Sequence, residues 1–83
     1  MYSVYMLECS DGTLYTGISN RLDARIKKHN RGAASHYTAS RLPVRLVYSE
    51  PQPDKSSALR REIAIRKLTR AAKRKLLENN PRE

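Results

Sequence analysis

From Tyr2 to Leu7 the chain reads YSVYML, with neither Gly nor Pro. Strand geometry sends alternate side chains to opposite faces. Ser3, Tyr5 and Leu7 then share one face, and Tyr2, Val4 and Met6 the other. A second β-prone run, Thr13 to Ile18, follows Ser10-Asp11-Gly12, which has the composition of a tight turn. The two runs read as a hairpin. Thr13, Tyr15 and Gly17 share a face, so Tyr5 and Tyr15 sit side by side next to a glycine that leaves the backbone bare. That is a seat for a ligand, or simply ordinary strand composition.

Beyond Ile18 the spacing becomes helical. A helix from about Asn20 to Asn30 has Ser19 or Asn20 as cap, Asp23 in its first turn and Gly32 just past its end. Its apolar stripe is narrow, Leu22 and Ile26. Arg25 and His29 are four apart, so they share a face beside that stripe, while Arg21, Lys28 and Arg31 point further out. Gly32 to Leu42 reads as a loop or a short helical turn. Its His36, Tyr37, Thr38, Ser40 and Arg41 suit phosphate contact, and equally a plain surface loop. Pro43 precedes a third strand, Val44 to Tyr48, and Glu50-Pro51-Gln52-Pro53-Asp54 reads as a rigid connection.

A second helix starts near Ser56 or Ser57 and runs to about Leu68. With Leu59 as the origin of a helical wheel, Ile63 lies at about +40°, Ala58 at about −100° and Ile65 at about −120°. That arc is expected to face the sheet. Glu62, at about −60°, and Arg66, at about −20°, fall inside it. A carboxylate on a buried face needs a partner. Glu62 is either paired with Arg66 at the rim of the core or pointed into a cleft beside the tyrosines. A last helix, Arg70 to about Asn79, is capped by Thr69 and stopped by Pro81.

Composition sharpens this picture in two ways. At 83 residues the chain reads as one domain, 1–83, with a thin core, and with no Trp or Phe its five Tyr supply the aromatic bulk. Its 17 Lys and Arg against 8 Asp and Glu give a net charge of +9, which draws polyanions, nucleic acid first and an anionic membrane second. The basic residues are densest from Arg60 to Lys75, with Arg60, Arg61, Lys67, Arg70, Lys73 and Arg74 expected to point outward at a phosphate backbone. Cys9 is alone, which rules out an intramolecular disulfide. With no secretory leader recognised, a reducing cytoplasm is the expected location. The N-terminal apolar run is too short to span a bilayer, and with nucleic acid the first candidate for the charge, no membrane partner is expected.

The ordered set of Tyr5, Tyr15-Thr16-Gly17, Arg25, His29 and Glu62 resembles the GIY-YIG nuclease superfamily, most closely its small stand-alone bacterial members. Ser3-Val4-Tyr5 stands at the first motif and Tyr15-Thr16-Gly17 at the second. The Tyr37-Thr38 and Pro43 to Tyr48 stretches also look like that subgroup. The resemblance implies an α/β (α+β) fold, a three-stranded antiparallel sheet flanked by helices in the order β-β-α-β-α-α. Its core would be about residues 3–68, with a basic helix at about 70–79. It implies a DNA endonuclease that hydrolyses phosphodiester bonds with Mg²⁺ or Mn²⁺, in DNA repair or recombination, choosing DNA by structure rather than sequence. Glu62 would ligate the metal. Arg25 would hold the phosphate. Tyr5 and Tyr15 would orient or deprotonate the attacking water, with His29 assisting. DNA contacts would come from Gly17, Arg21, Lys28, Tyr37, Arg41 and the outward cations named above. Ser3 replaces the first motif's glycine and Thr16 the second motif's isoleucine. The length leaves no room for a separate DNA-binding domain. The alternatives are therefore a nucleic-acid-binding module of this fold without useful activity, and a protein whose partner supplies specificity.

Overall fold

The computed structural model describes residues 1–79, so Pro81 lies outside the described residues. Strands β1 (Tyr2–Glu8) and β2 (Leu14–Ser19) form the antiparallel hairpin, with Tyr5 opposite Gly17 and Leu7 opposite Tyr15. Asp11 closes the turn, its Oδ1 accepting from the Thr13 N–H at 3.1 Å and the Thr13 hydroxyl at 2.7 Å. Gly12 takes φ 84°, a conformation that side chains disfavour. Strand β3 (Arg45–Gln52) pairs antiparallel with the other side of β1, giving the order β2-β1-β3. It runs past Tyr48, through Pro51, where a rigid connection was expected. Pro51 is tolerated because β3 is an edge strand and one side of it needs no ladder donor.

Central position explains the burial of β1: Val4, Tyr5, Met6 and Leu7 are all 0% exposed. Tyr5, Leu7, Cys9 and Val44 make one core with Leu22 and Ile26 of α1 (Leu22–Asn30). On the opposite face Val4, Met6 and Tyr48 pack with Ala58 and Ile65 of α3 (Lys55–Arg66) and with Leu76 and Leu77 of α4 (Arg70–Asn79). Between α1 and β3 stands a one-turn helix, α2 (His36–Ala39). Helix α1 begins later than the sequence implies, at Leu22. The Ser19 hydroxyl accepts from the Arg21 N–H at 2.9 Å, but Arg21 itself occupies the cap without a side-chain bond. Asp54 caps α3 through the Ser57 N–H at 2.8 Å, and Thr69 caps α4 through the Ala72 N–H at 3.1 Å. Among the described residues no helix is long and apolar enough to cross a membrane.

The orientation of α3 corrects the wheel. Ala58 and Ile65 are 0% exposed, whereas Leu59 is 42% and Ile63 44% exposed. The small Ala58 lets the helix lie close to the sheet on that side. Leu59 instead lines an open cleft together with residues of β2.

Candidate active site

An open cleft of about 650 Å³ lies along the edge strand β2. Tyr5, Tyr15, Thr16 and Gly17 line it from the sheet, Arg25 from α1, Tyr37 from α2, Glu62 and Arg66 from α3, and Lys73 from α4. Since α1 and α3 cover opposite faces, only at the sheet's edge can Arg25 and Glu62 reach one space.

Gly17 makes the tyrosine geometry possible. A Cβ there would sit 2.7 Å from the Tyr5 hydroxyl oxygen and 2.8 Å from its Cζ. The bare backbone expected to seat nucleic acid is thus filled by the Tyr5 ring, and Gly17 serves as the floor under it. The Tyr5 and Tyr15 ring centroids are 6.5 Å apart, and the His29 ring lies 5.1 Å from Tyr15 and 5.9 Å from Tyr5.

His29 is 0% exposed, with Nε2 2.9 Å from the Tyr5 oxygen and Nδ1 2.8 Å from Thr38 Oγ1. Burial, and then the charge of Arg25, push its pKa down to about 4. The ring is therefore neutral at physiological pH, and not the helix C-terminal cation its position would allow. Burial also raises the Tyr5 phenol above its ordinary value, opposed by the Arg25 guanidinium beside it. Arg25 Nε and Thr16 Oγ1 are buried without hydrogen-bond partners. An orphaned guanidinium N–H is costly in a protein interior, and an anion in the cleft would satisfy it.

Glu62 unites the two readings of the sequence. Its side chain is 13% exposed and lines the cleft, and its Oε2 lies 3.4 Å from Arg66 Nε. Arg66 is 62% exposed, so the pair sits at the cleft rim. Among the described residues no group of three or more His, Cys, Asp and Glu converges on one point. One carboxylate fits Mg²⁺ or Mn²⁺ bound mainly by water and substrate phosphate, as hard cations often are.

The cations divide in a way the sequence did not reveal. Lys73 faces the cleft, and Arg21 and Lys28 line a shallow hollow that adjoins it through Arg25. Lys67 is exposed, and Arg60 is exposed with Nη1 2.7 Å from the Ser56 hydroxyl. Three arginines expected to point outward are turned back onto the fold. Arg61 donates to Glu50 at 2.9 Å, Arg70 to the Gly12 carbonyl at 3.0 Å, and Arg74 to the same carbonyl at 3.2 Å and to Glu8 at 3.3 Å. Each planar guanidinium has found an acceptor distant in sequence. Arg41 lies 3.9 Å over the Tyr37 ring and pairs with Asp11 at 3.1 Å, while Tyr37 stacks on Tyr15 at 6.1 Å. The expected Glu62–Arg66 pair is present at the rim, whereas the place of Thr38 behind His29 escaped the sequence reading, which offered Thr38 only for phosphate contact.

The model of the GIY-YIG catalytic domain matches residues 1–76. The UPF0213 protein of Staphylococcus aureus strain Mu3 is 49% identical over 75 residues, covering 90% of this chain and 92% of its own length. The UPF0213 protein SA0446 of S. aureus strain N315 matches to the same extent, 49% over 75 residues. The solution NMR structure of the UPF0213 protein BH0048 from Bacillus halodurans superposes with a TM-score of 0.61 at 43% identity, covering 94% of this chain and 84% of that one.

Proposed function

The chain belongs to the GIY-YIG family, and on that premise we propose that it is a divalent-metal-dependent endonuclease that hydrolyses DNA phosphodiester bonds, with Mg²⁺ or Mn²⁺ at Glu62. The observation that carries this reading is one cleft in which a buried Arg25 Nε lacks an acceptor while two tyrosines and a carboxylate face the same space. A scissile phosphate placed against Arg25 supplies the missing acceptor, and the guanidinium offsets the charge that gathers on the phosphorus oxygens. When bound, the metal polarises the phosphate and lowers the pKa of a water. Glu62 would hold that metal in place of its pairing with Arg66. Tyr15 and Tyr5 orient the attacking water.

Tyr5 is protonated at neutral pH, because burial raises a pKa that is already near 10.0. It therefore acts by relay. Its oxygen accepts a proton from the water as its own proton passes to His29 Nε2 at 2.9 Å. Arg25 is one of the two causes that weaken His29 as a base. A phosphate on Arg25 cancels that charge, so the base strengthens when substrate arrives.

Lys73, Arg21, Lys28, Arg60 and Lys67 supply phosphate contacts around the cleft, favouring DNA structure over sequence and consistent with a role in repair or recombination. The second reading is a DNA-binding module without turnover, and the Glu62–Arg66 ion pair favours it. Cleavage of linear, supercoiled and branched DNA with Mg²⁺ or Mn²⁺ tests the proposal, with Glu62→Gln as control. Turnover that Glu62→Gln removes supports it. Binding without turnover on every substrate and metal leaves the second reading.

A further inference from the structure

We propose that Thr38 is a positioning residue of this site: its hydroxyl fixes His29 in the tautomer protonated at Nδ1, leaving the Nε2 lone pair free to receive the Tyr5 proton. The kinetic consequence rests on the nuclease reading; the tautomer does not.

The argument is a count of donors and acceptors. Thr38 is 0% exposed, and its Oγ1 lies 2.8 Å from His29 Nδ1 and 3.3 Å from the Ser35 carbonyl. A hydroxyl has one hydrogen and can accept through its lone pairs. Suppose the Thr38 hydrogen goes to the Ser35 carbonyl. Then Nδ1–H donates to Thr38, Nε2 accepts from Tyr5, and the Tyr5 oxygen remains free to accept from Arg25. Every hydrogen has an acceptor.

Suppose instead that Thr38 donates to Nδ1. Then Nε2–H must point at the Tyr5 oxygen, which already faces Arg25, a donor only. Two donors would meet that oxygen, and the phenol hydrogen would have neither His29 nor Arg25 to receive it. Only the first arrangement gives every one of these hydrogens an acceptor within the protein, so the first is favoured.

Local structure holds Thr38 in place. Ser35 has extended backbone, φ −153° and ψ 140°, and its hydroxyl caps α2 by accepting from the Tyr37 N–H at 3.1 Å. The Ala39 N–H closes the turn on the Ser35 carbonyl at 2.9 Å. The single turn of α2 thereby aims Thr38 at His29 from one side of the turn while Tyr37 lines the cleft. The logic is that of other catalytic histidines, where the partner of one ring nitrogen decides what the other can do.

Two variants test it. Thr38→Val keeps the shape and removes the acceptor, and Thr38→Ser keeps the hydroxyl. The first readout is the ¹⁵N spectrum of the His29 ring, which distinguishes the tautomers and needs neither metal nor DNA. Wild type and Thr38→Ser are expected to carry the proton on Nδ1, and Thr38→Val on Nε2. The second readout is cleavage kinetics. In Thr38→Val, kcat should fall by about 100-fold, the low end for a positioned proton acceptor, with KM for DNA little changed, and Thr38→Ser should recover most of the loss. A wild-type ring protonated on Nε2 overturns the proposal. So does a folded Thr38→Val that keeps both the Nδ1 proton and its kcat. If Thr38→Val does not fold, the wild-type and Thr38→Ser spectra decide alone. A wild type that cuts no DNA yet carries the Nδ1 proton sinks the nuclease reading and still supports the assignment of Thr38.

Discussion

Mild acid should destabilise this protein through His29 before it disturbs the carboxylates. The ring is 0% exposed and its pKa is lowered to about 4, first by burial and then by Arg25. In the unfolded chain it titrates near ~6.5. Between those values the unfolded state binds more protons than the folded one, so stability falls as pH falls. Above about 6.5 the stabilisation is fully present, and below about 4 both states are protonated and the loss is complete, amounting to ~3 kcal/mol at 1.36 kcal/mol per pH unit. From about pH 7 to about pH 5.5 the loss is about 1 kcal/mol. In a domain of this size that lowers Tm by roughly 4–8 °C. Arg45 and Arg74 hold Glu8 below its ordinary value of 4.5 despite burial, and Tyr48 and Arg61 do the same for Glu50. Both contribute little to the change above about pH 5.5.

Thermal melts by circular dichroism across that range give the measurement. Wild type should lose stability with the stated slope, and His29→Gln, which cannot titrate, should show a nearly flat profile however stable it is at neutral pH. An NMR titration of the His29 ring in the folded protein is the direct check. A ring that protonates near pH ~6.5 in the folded state, or a wild-type melt indifferent to pH over this range, would refute the reasoning.

Three further outcomes follow from the same geometry. Glu62→Gln should abolish metal-dependent cleavage and any metal-dependent rise in Tm. In EDTA it should cost at most about 1 kcal/mol, because Arg66 is 62% exposed and stays hydrated when its partner is removed. Gly17→Ala should lower stability by about 1–3 kcal/mol and remove turnover, since a Cβ 2.7 Å from the Tyr5 oxygen displaces a buried ring; an active, fully stable Gly17→Ala would show that Tyr5 need not sit there. Lys73→Ala should reduce the slope of log affinity for DNA against log salt by about 1, whereas Arg74→Ala should lower Tm with little change in that slope. Equal salt slopes for the two variants would contradict the division of the cations.

The hairpin was legible because three local signals agree: a β-prone run without Gly or Pro in β1, a second β-prone run in β2, and between them a glycine where the turn needs φ 84°. Tyr5, Tyr15, Arg25 and Glu62 were legible as an ordered pattern, and they do converge on one cleft. Thr38 was not. It is a small polar residue of the one-turn helix α2, and its meaning lies in a histidine nine positions earlier on another element. The facing of α3 was also hidden. A wheel gives angles but not which side the sheet will cover, and here Ala58 and Ile65 are buried while the larger Leu59 stays partly exposed at the cleft.

The basic residues show most plainly why charge in a sequence is not yet a binding surface. Arg61, Arg70 and Arg74 belong to one dense run, yet their acceptors are Glu50, the Gly12 carbonyl and Glu8. Their planar forks suit carboxylates and carbonyls, and the long stem lets them reach back across the fold. Lys73, in the same run, carries a compact, strongly hydrated charge and stays at the cleft. Docking α4 on the hairpin turn through Arg70 and Arg74 is what brings Lys73 over the end of β2. The same bonds that turn two arginines onto the fold therefore leave Lys73, between them in sequence, among the residues that line the cleft with Arg25.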